Sequence, residues 1–187
     1  MFISGSAGQP TCGVMAVKDG IRYAGLLVVG LGVATLLYPA MHEWGHVVAA
    51  WLLDVPVMDV HLLVEPRVQC DFRDVVSVAP VYIGWGGVVL PLVVSALLRP
   101  RSFWVWYAVF VWRCIAVFAC VWMGVSVLLF VYGTPPADDD MTLLLQMFPH
   151  HWWGHLLLSV VLSTVGSVFL VREHPFRRCA AYFASTE

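Results

Sequence analysis

Four long apolar stretches constrain this chain more than any other feature of its sequence. They cover residues 23–53, 76–98, 103–132 and 152–171. A helix needs about 20 apolar residues to cross the hydrocarbon core of a bilayer, and each stretch reaches that length. Of the 187 residues, 60% are hydrophobic and only 12% are charged, which excludes an ordinary water-soluble domain. The sequence therefore predicts an all-α polytopic membrane protein with about four transmembrane helices.

The apolar stretches predict a single membrane-embedded domain over residues 23–171. Residues 1–22 are expected to form a flexible N-terminal tail, and residues 172–187 a short cytoplasmic tail. Because the first stretch is longer than a bilayer requires and contains Pro39, we expect a kink there. The formal net charge is -2 and no basic stripe is present, which excludes nucleic acid as a partner and leaves the lipid bilayer as the expected one.

The basic residues outside the predicted helices are unevenly distributed between the two sides of the membrane. With four spans, both termini and the loop after the second span share one side. That side has Lys18, Arg22, Arg99, Arg101, Arg172, Arg177 and Arg178. The opposite side has only Arg67 and Arg73. Since basic loops tend to stay in the cytoplasm, we predict a multi-pass integral membrane protein with both termini cytoplasmic.

The segment between the first and second spans, residues 55–72, alternates between apolar and polar residues. Its apolar face has Val60, Leu62 and Val64 before a turn at Pro66, and Val68, Cys70 and Phe72 after it. A period of two is typical of β-strands, so the pattern predicts a small β-hairpin between the first and second transmembrane helices. The alternative is an ordinary loop, since short alternation is a weak signal.

The sequence HEWGH, near the end of the first span, has the pattern of a zinc hydrolase site. His42 and His46 are four residues apart, so on a helix they project from the same side and can bind one metal ion. Glu43 between them is placed to take a proton from a metal-bound water. Ionisable residues within a membrane helix are costly to bury and indicate function. The alternative is that these side chains reach for the headgroups at a helix end.

A catalytic zinc site has three protein ligands, so a third must come from elsewhere in the chain. The acidic run Asp138, Asp139 and Asp140 follows the third span. If the third helix runs outwards, it brings this run to the side of the membrane towards which the first helix carries His42 and His46. The alternative is that these aspartates only cap the following helix, because Asp favours a first turn.

The stretch HEWGHVVAAWLLDVPV, which begins at His42, resembles the HExGHxxAAxxxGxPV stretch of the site-2 protease family of intramembrane zinc metalloproteases. Similarly, GWGGVVLPLVV from Gly84 resembles that family's glycine-containing second core helix, and PPADDDMTLL resembles its PxLDGGRxLL motif. The similarity extends over residues 23–145. Aspartates stand where the family has two glycines, and no PDZ-like or regulatory domain is present in the sequence.

The resemblance implies a zinc metalloprotease with one Zn²⁺ per chain, in which His42 and His46 are ligands and Glu43 is the catalytic base. The prolines before the acidic run align Asp138 with the family's ligand, and the leucines after it align Asp139. We take Asp139 as the third ligand, with Asp138 as the second choice or as a helix cap. Under this resemblance, the lack of regulatory domains implies either a minimal member of the family or one that works with a regulatory membrane partner.

The predicted function is hydrolysis of a peptide bond in or near a transmembrane segment of a membrane protein or peptide. Since a transmembrane helix must unwind before it is cleaved, we predict that Val60, Leu62 and Val64 bind the unwound segment as an added strand. Two alternatives use the same site. One is a non-proteolytic protein that binds metal for transport or sensing, and the other is an interaction subunit with a vestigial site.

Two further features have alternative interpretations. His151 and His155 are four residues apart, as in a second metal site, but no glutamate accompanies them, and interfacial histidines are favoured. Arg113 is the only basic residue inside an apolar stretch. It extends to the headgroups or pairs with a buried carboxylate, and the first is favoured.

Overall fold

The computed structural model describes residues 12–62, 65–73, 78–137 and 139–184. Seven α-helices lie in these ranges: α1 (Cys12–Gly32), α2 (Tyr38–Leu52), α3 (Ala79–Leu97), α4 (Phe103–Val131), α5 (Asp140–Met147), α6 (Trp152–Arg172) and α7 (Pro175–Ala184). Two antiparallel strands, β1 (Val57–His61) and β2 (Arg67–Cys70), form a hairpin between α2 and α3. The predicted fold class, mainly helical with one small hairpin after the first span, is confirmed.

Four helical segments are long and apolar enough to cross a membrane. They are Val17–Leu52, Ala79–Leu97, Phe103–Val131 and Pro149–Ala184. The chain is therefore a membrane protein with four candidate spans, as the sequence predicts. The helical structure extends further than expected at both ends of the described chain, because residues 12–22 belong to α1 and α7 lies within the predicted C-terminal tail.

The first span is one continuous helix with a widened turn. Residues Val33–Leu37 form a π-helical turn between α1 and α2, directly before Pro39. Proline lacks an N–H group, and its ring would collide with the carbonyl four residues earlier in a regular α-helix. A π-helical turn relieves this collision, and turns of this kind are frequent at functional sites. The expected irregularity at Pro39 therefore lies in the turn that precedes it.

The helices pack as two pairs that share a core. Helix α2 packs against α3, α4 packs against α6, and α3 packs against α4. The main cluster of buried residues is Trp85, Val88, Cys120, Met123, Val127, Met141, Leu144 and Leu145. Helix α5 contributes the last three of these, so it is held inside the bundle although it is too short to span a membrane. This packing places the start of α5 beside α2 and α3.

Glycines allow the backbones of α2 and α3 to touch. A Cβ atom on Gly45 would overlap the carbonyl oxygen of Gly86. A Cβ atom on Gly86 would lie 2.5 Å from the carbonyl oxygen of Gly45 and 2.8 Å from the Cβ of Ala49. Small residues at helix contacts are typical of membrane proteins, in which close backbone packing replaces the hydrophobic effect. The glycines of HEWGH and GWGGVV therefore lie where these two helices approach each other most closely.

A largely buried ion pair connects two helices near the end of the bundle where α6 ends. Arg113 of α4 pairs with Glu173 at the end of α6, and its Nε atom donates to the backbone oxygen of Ser95 at 2.9 Å. The Nε1 atom of Trp106 donates to the Glu173 carboxylate at 2.6 Å. Arg113 therefore pairs with a carboxylate, and the favoured alternative of an extension to the headgroups is wrong. Its guanidinium ties α3, α4 and α6 together.

We expect Arg113→Ala to lower the free energy of unfolding by about 3 kcal/mol, because Glu173 would remain partly buried without its partner. Thermal unfolding of the detergent-solubilised chain measures this loss. Arg172→Ala is the matched control, since Arg172 lies next to Glu173 in sequence, is exposed and has no ion pair among the described residues. It should change stability by no more than about 0.5 kcal/mol. Equal destabilisation by the two substitutions would contradict the prediction.

Candidate metal centre

Helix α2 presents His42, Glu43 and His46 to the interior of the bundle. The four-residue spacing places both imidazoles on one face, where their ring centroids are 4.7 Å apart and their planes are nearly perpendicular. Glu43 and His46 are each 7% exposed, while the His42 side chain is 21% exposed. The sequence-based prediction that these groups converge is confirmed for the two histidines.

One carboxylate from α5 joins the two imidazoles. The Oδ2 atom of Asp140 lies 3.1 Å from Nε2 of His42 and 3.3 Å from Nε2 of His46. The two Nε2 atoms are 3.2 Å apart. These three atoms form a nearly equilateral triangle of potential metal ligands. Residues that are about a hundred positions apart in sequence are thus brought to one point.

The size of this triangle fits a small tetrahedral ion. With metal–ligand bonds of about 2.0 to 2.1 Å, the ligand atoms of a tetrahedral site lie about 3.3 Å apart. The observed separations of 3.1, 3.2 and 3.3 Å are at or slightly below this value. Three ligands on one face leave the fourth position of a tetrahedron open, which is the arrangement of catalytic sites.

The hydrogen bonding of His46 also favours a cation. Its Nδ1 atom lies 2.7 Å from the backbone oxygen of Ile83, which can only accept, so the proton of a neutral ring is on Nδ1. In this tautomer the Nε2 atom of His46 directs a lone pair towards Asp140 and His42, where a cation could bind. The backbone bond from Nδ1 is the outer contact that usually orients a metal-binding histidine.

His42 is held differently. Its Nδ1 atom is buried and has no hydrogen-bond partner among the described residues. The ring lies instead between that of His46 and that of Tyr38, whose centroid is 6.1 Å away. Packing therefore positions His42, whereas a hydrogen bond positions His46.

The structure assigns the aspartates differently from the sequence-based preference for Asp139. The Asp139 carboxylate accepts from the backbone N–H of Thr142 at 3.2 Å and from Nε1 of Trp122 at 3.2 Å, so it caps α5. Asp140 is the first residue of α5 and turns towards the histidines. Asp138, the second choice for the ligand, lies outside the described residues. The alternative that the run caps a helix is thus correct for Asp139 and not for Asp140.

The electrostatic environment of Asp140 keeps it ionised. Burial alone would raise the pKa of its carboxyl group, but hydrogen bonding and attraction from His42 and His46 lower that pKa to well below its usual range. An ionised carboxylate is the form that binds a metal ion. Among the described residues, no salt bridge joins Asp140 to a lysine or arginine.

Gly87 makes room for the two imidazole rings. A Cβ atom at this position would lie 2.5 Å from Nε2 of His46 and 2.8 Å from Cε1 of His42. Both distances are shorter than van der Waals contact, so even alanine would push the ligand atoms out of place. The close approach of α2 and α3 thus shapes the centre as well as the helix pair.

A cavity of about 310 Å³ opens beside the centre. Its lining includes Glu43, His46 and Asp140, and among its walls are Ile83, Gly84, Leu143, Leu144 and Met147. The hairpin forms another wall through Arg67, Val68 and Cys70 of β2, together with Pro66 and Phe72. Burial raises the pKa of the Cys70 thiol, which therefore stays protonated at neutral pH. The cavity combines three acidic or imidazole groups with largely apolar walls.

The predicted substrate-binding residues of the hairpin need a correction. Val60 and Leu62 are not among the residues that line this cavity, and Val64 lies outside the described residues. Val60 of β1 pairs with Val68 of β2, as the alternation predicts, but β2 is the strand beside the centre. Val57 of β1 and Cys70 of β2 both pack on the cluster of Ala50, Val55, Ala79 and Ile83, but of the two described strands only β2 contributes residues to the cavity lining.

The other histidine pair does not form a second metal centre in the described part of the chain. His155 is buried, and its Nδ1 atom accepts from Nε1 of Trp85 at 3.0 Å. His151 is exposed and lies in a short 3₁₀ turn before α6. The predicted interfacial position therefore suits His151, whereas His155 is a core residue.

Several residues of the site were not predicted, although the sequence contains a signal for some of them. Leu143, Leu144 and Met147 follow Asp140 by three, four and seven residues, and all line the cavity with it. Residues with this spacing lie on one face of a helix, so Asp140 shares a face with the three apolar residues. The helical period of 3.6 residues, which also identifies the histidine pair, therefore favours Asp140 over Asp139. No sequence signal identifies the backbone oxygen of Ile83, because any residue type provides one.

Comparisons of the chain with protein-family models, with curated proteins and with solved structures found no match. The resemblance to site-2 proteases therefore stays a prediction from the sequence. What the structure adds is a group of three potential ligands beside a buried glutamate and a cavity.

We expect Asp140→Ala to weaken binding of a divalent ion by more than about 100-fold, because it removes one of three ligands. Asp139→Ala is the matched control and should keep metal affinity while it lowers stability by about 1 kcal/mol through loss of the helix cap. Competition of the purified chain with a chromophoric chelator for Zn²⁺ and Co²⁺ measures the affinities. A larger loss of affinity with Asp139→Ala than with Asp140→Ala would restore the original assignment.

Proposed function

We propose that this chain is an intramembrane zinc metalloendopeptidase. Its substrate would be a peptide bond in or near a transmembrane segment of a membrane protein. The observation that carries the proposal is the convergence of His42, His46 and Asp140 on one point, with Glu43 on the wall of the same cavity. The resemblance of the HEWGH region to site-2 proteases supports the same conclusion.

Zinc is the metal that this ligand set suits best. Two imidazoles and one carboxylate, with an open fourth position, match the ligand sets of catalytic zinc sites. Bound zinc would supply a water of lowered pKa and would polarise a carbonyl oxygen. Magnesium and calcium prefer sites built from oxygen ligands alone, which disfavours them here.

Glu43 is the group proposed to move the proton. It is buried at the cavity wall, and no donor among the described residues forms a hydrogen bond with its carboxylate. A carboxylate that is free of internal partners can accept a proton from the attacking water and deliver it to the leaving amine. Its position next to His42 in α2 keeps it close to the metal ligands. A glutamate in a purely structural role would be expected to have a partner at this degree of burial.

The hairpin offers a way to hold an unwound substrate. A transmembrane helix shields its own peptide bonds, so the segment to be cleaved must leave the helix and needs new hydrogen-bond partners. Strand β2 pairs with β1 along one edge only. Its residues Arg67, Val68 and Cys70 line the cavity, where an extended segment could add to the sheet. The proposal therefore places the substrate along β2 rather than along Val60 and Leu62.

We also propose that both termini are cytoplasmic. The end of the bundle formed by the start of α4, the end of α6 and α7 contains Arg101, Arg172, Arg177 and Arg178. The hairpin end has Arg67 and Arg73, both of which contact a nearby aspartate. The bias of basic residues towards the cytoplasm then puts the metal centre nearer the outer surface.

We expect Glu43→Gln to abolish cleavage, because glutamine cannot accept the proton from the attacking water. Stoichiometric zinc should be retained, because residue 43 is not one of the three metal ligands. Activity would be assayed in liposomes with a mixed library of single-span peptides, and new N-termini would be identified by mass spectrometry. Zinc would be counted by elemental analysis of the same samples. Cleavage with Glu43→Gln at the wild-type rate would reject the proposed role of Glu43. Bound zinc without cleavage by the wild type would favour metal transport or sensing, and a wild type without zinc would favour the vestigial subunit.

We expect Val68→Pro to reduce cleavage by at least about 100-fold with zinc retained, because proline removes a backbone donor from the strand beside the cavity. Met58→Pro is the control: Met58 lies at the irregularity between Val57 and Asp59 in β1, where strand pairing is already interrupted. The peptide library and zinc analysis described above give both readouts. Unchanged cleavage by Val68→Pro would exclude addition of the substrate to β2.

A further inference from the structure

A second cavity, of about 350 Å³, lies at the opposite end of the bundle from the metal centre. It is formed where α4 begins and α7 crosses it. The residues that define it are Arg101, Ser102, Phe103, Trp106, Arg178 and Tyr182. We call it the Arg101–Arg178 cavity. Two cations on an aromatic lining make it chemically unlike the cavity beside the zinc ligands.

The two arginines of this cavity have no acidic partner among the described residues. Asp19 is 3.7 Å from Arg22, and Glu173 pairs with Arg113, so the nearby carboxylates are already used. Among the described residues, no salt bridge involves Arg101 or Arg178, and both residues are exposed. The guanidinium carbon of Arg178 lies 5.2 Å from the centre of the Trp106 ring, which holds it at the cavity. Two positive charges that no described carboxylate neutralises therefore line the same cavity.

The start of α4 adds to this positive potential. Ser102 is the N-cap, and its side chain accepts only from the backbone N–H of Val105, at 3.4 Å. The other N–H groups of the first turn have no partner within the helix and attract anions. The helix start would be a weak indication alone, but here it coincides with the two arginines.

Helix α7 has the properties of a helix that lies at the level of lipid headgroups. It is amphipathic, and Phe176 at its start is 90% exposed, as expected for a residue that enters the lipid interface. At its other end, the ring of Tyr182 stacks on Phe103 with centroids 3.8 Å apart, and Phe183 stacks on Tyr23 at 4.7 Å. Helix α7 thus packs against Tyr23, where the first apolar stretch begins, and against the start of α4, where phosphate groups of the bilayer are expected.

We infer that the Arg101–Arg178 cavity binds the phosphodiester headgroup of an anionic phospholipid. Arginine suits this ligand because its guanidinium can donate two hydrogen bonds to one phosphate. A net negative lipid is favoured over a zwitterionic one, since no described carboxylate pairs with either arginine. A bound headgroup would join α4 to α7, and through Tyr182 and Phe183 it would also secure α1.

The test uses the full chain, delipidated in detergent and titrated with phosphatidylglycerol or phosphatidylcholine. Native mass spectrometry counts the retained lipids, and thermal unfolding reports stabilisation. We expect phosphatidylglycerol to be retained preferentially and to raise the Tm. The double substitution Arg101→Gln and Arg178→Gln should weaken phosphatidylglycerol binding by about 30-fold.

The matched control is Arg172→Gln with Arg177→Gln, which removes the same charge at the same end without touching the cavity lining. It should bind phosphatidylglycerol within about threefold of the wild type. An equal loss with both pairs, or equal retention of the two lipids by the wild type, would overturn the proposal. Stabilisation by inorganic phosphate that matches that by phosphatidylglycerol would also overturn it, in favour of a soluble ligand. The wild-type lipid comparison decides the matter even if the double variant fails to fold.

Discussion

The backbone contact between α2 and α3 is the constraint on which the candidate centre depends. Gly45 and Gly86 permit the two helices to approach until main-chain atoms touch. At that distance the backbone oxygen of Ile83 reaches Nδ1 of His46, and Gly87 leaves space for both imidazoles. A wider separation would remove the hydrogen bond that fixes the His46 ring. The packing of two membrane helices therefore determines the orientation of a metal ligand.

The third ligand depends on a separate local device, the cap of α5. Asp139 accepts from the backbone N–H of Thr142, and the next residue, Asp140, begins α5 and faces the histidines. Buried residues on the other side of α5, among them Met141 and Leu145, hold the helix in the bundle. The two adjacent aspartates thus have distinct tasks, of which one is structural and the other faces the metal site.

The spans, the hairpin and the histidine pair could be predicted because each follows from a local period or from length. The spacing of the family motif favours Asp139 as the third ligand, whereas the helical period of α5 favours Asp140. The choice of β2 over β1 and the pairing of Arg113 with Glu173 depend on how distant elements pack, and no local pattern encodes either. Helix α7 is short and only partly apolar, so the length and hydropathy of the sequence alone assign its residues to a tail.

The charges inside the bundle give a further reason to expect a divalent ion. At one end, the buried charge of Arg113 is balanced by Glu173. Near the other end, Asp140 lines a cavity in which, among the described residues, Arg67 is the one lysine or arginine, and Arg67 lies 3.7 Å from Asp59. No described lysine or arginine pairs with the Asp140 carboxylate, and isolated buried charge is costly. A divalent cation at the ligand triangle would balance this charge, at the point where the proposed hydrolysis would require a positive charge.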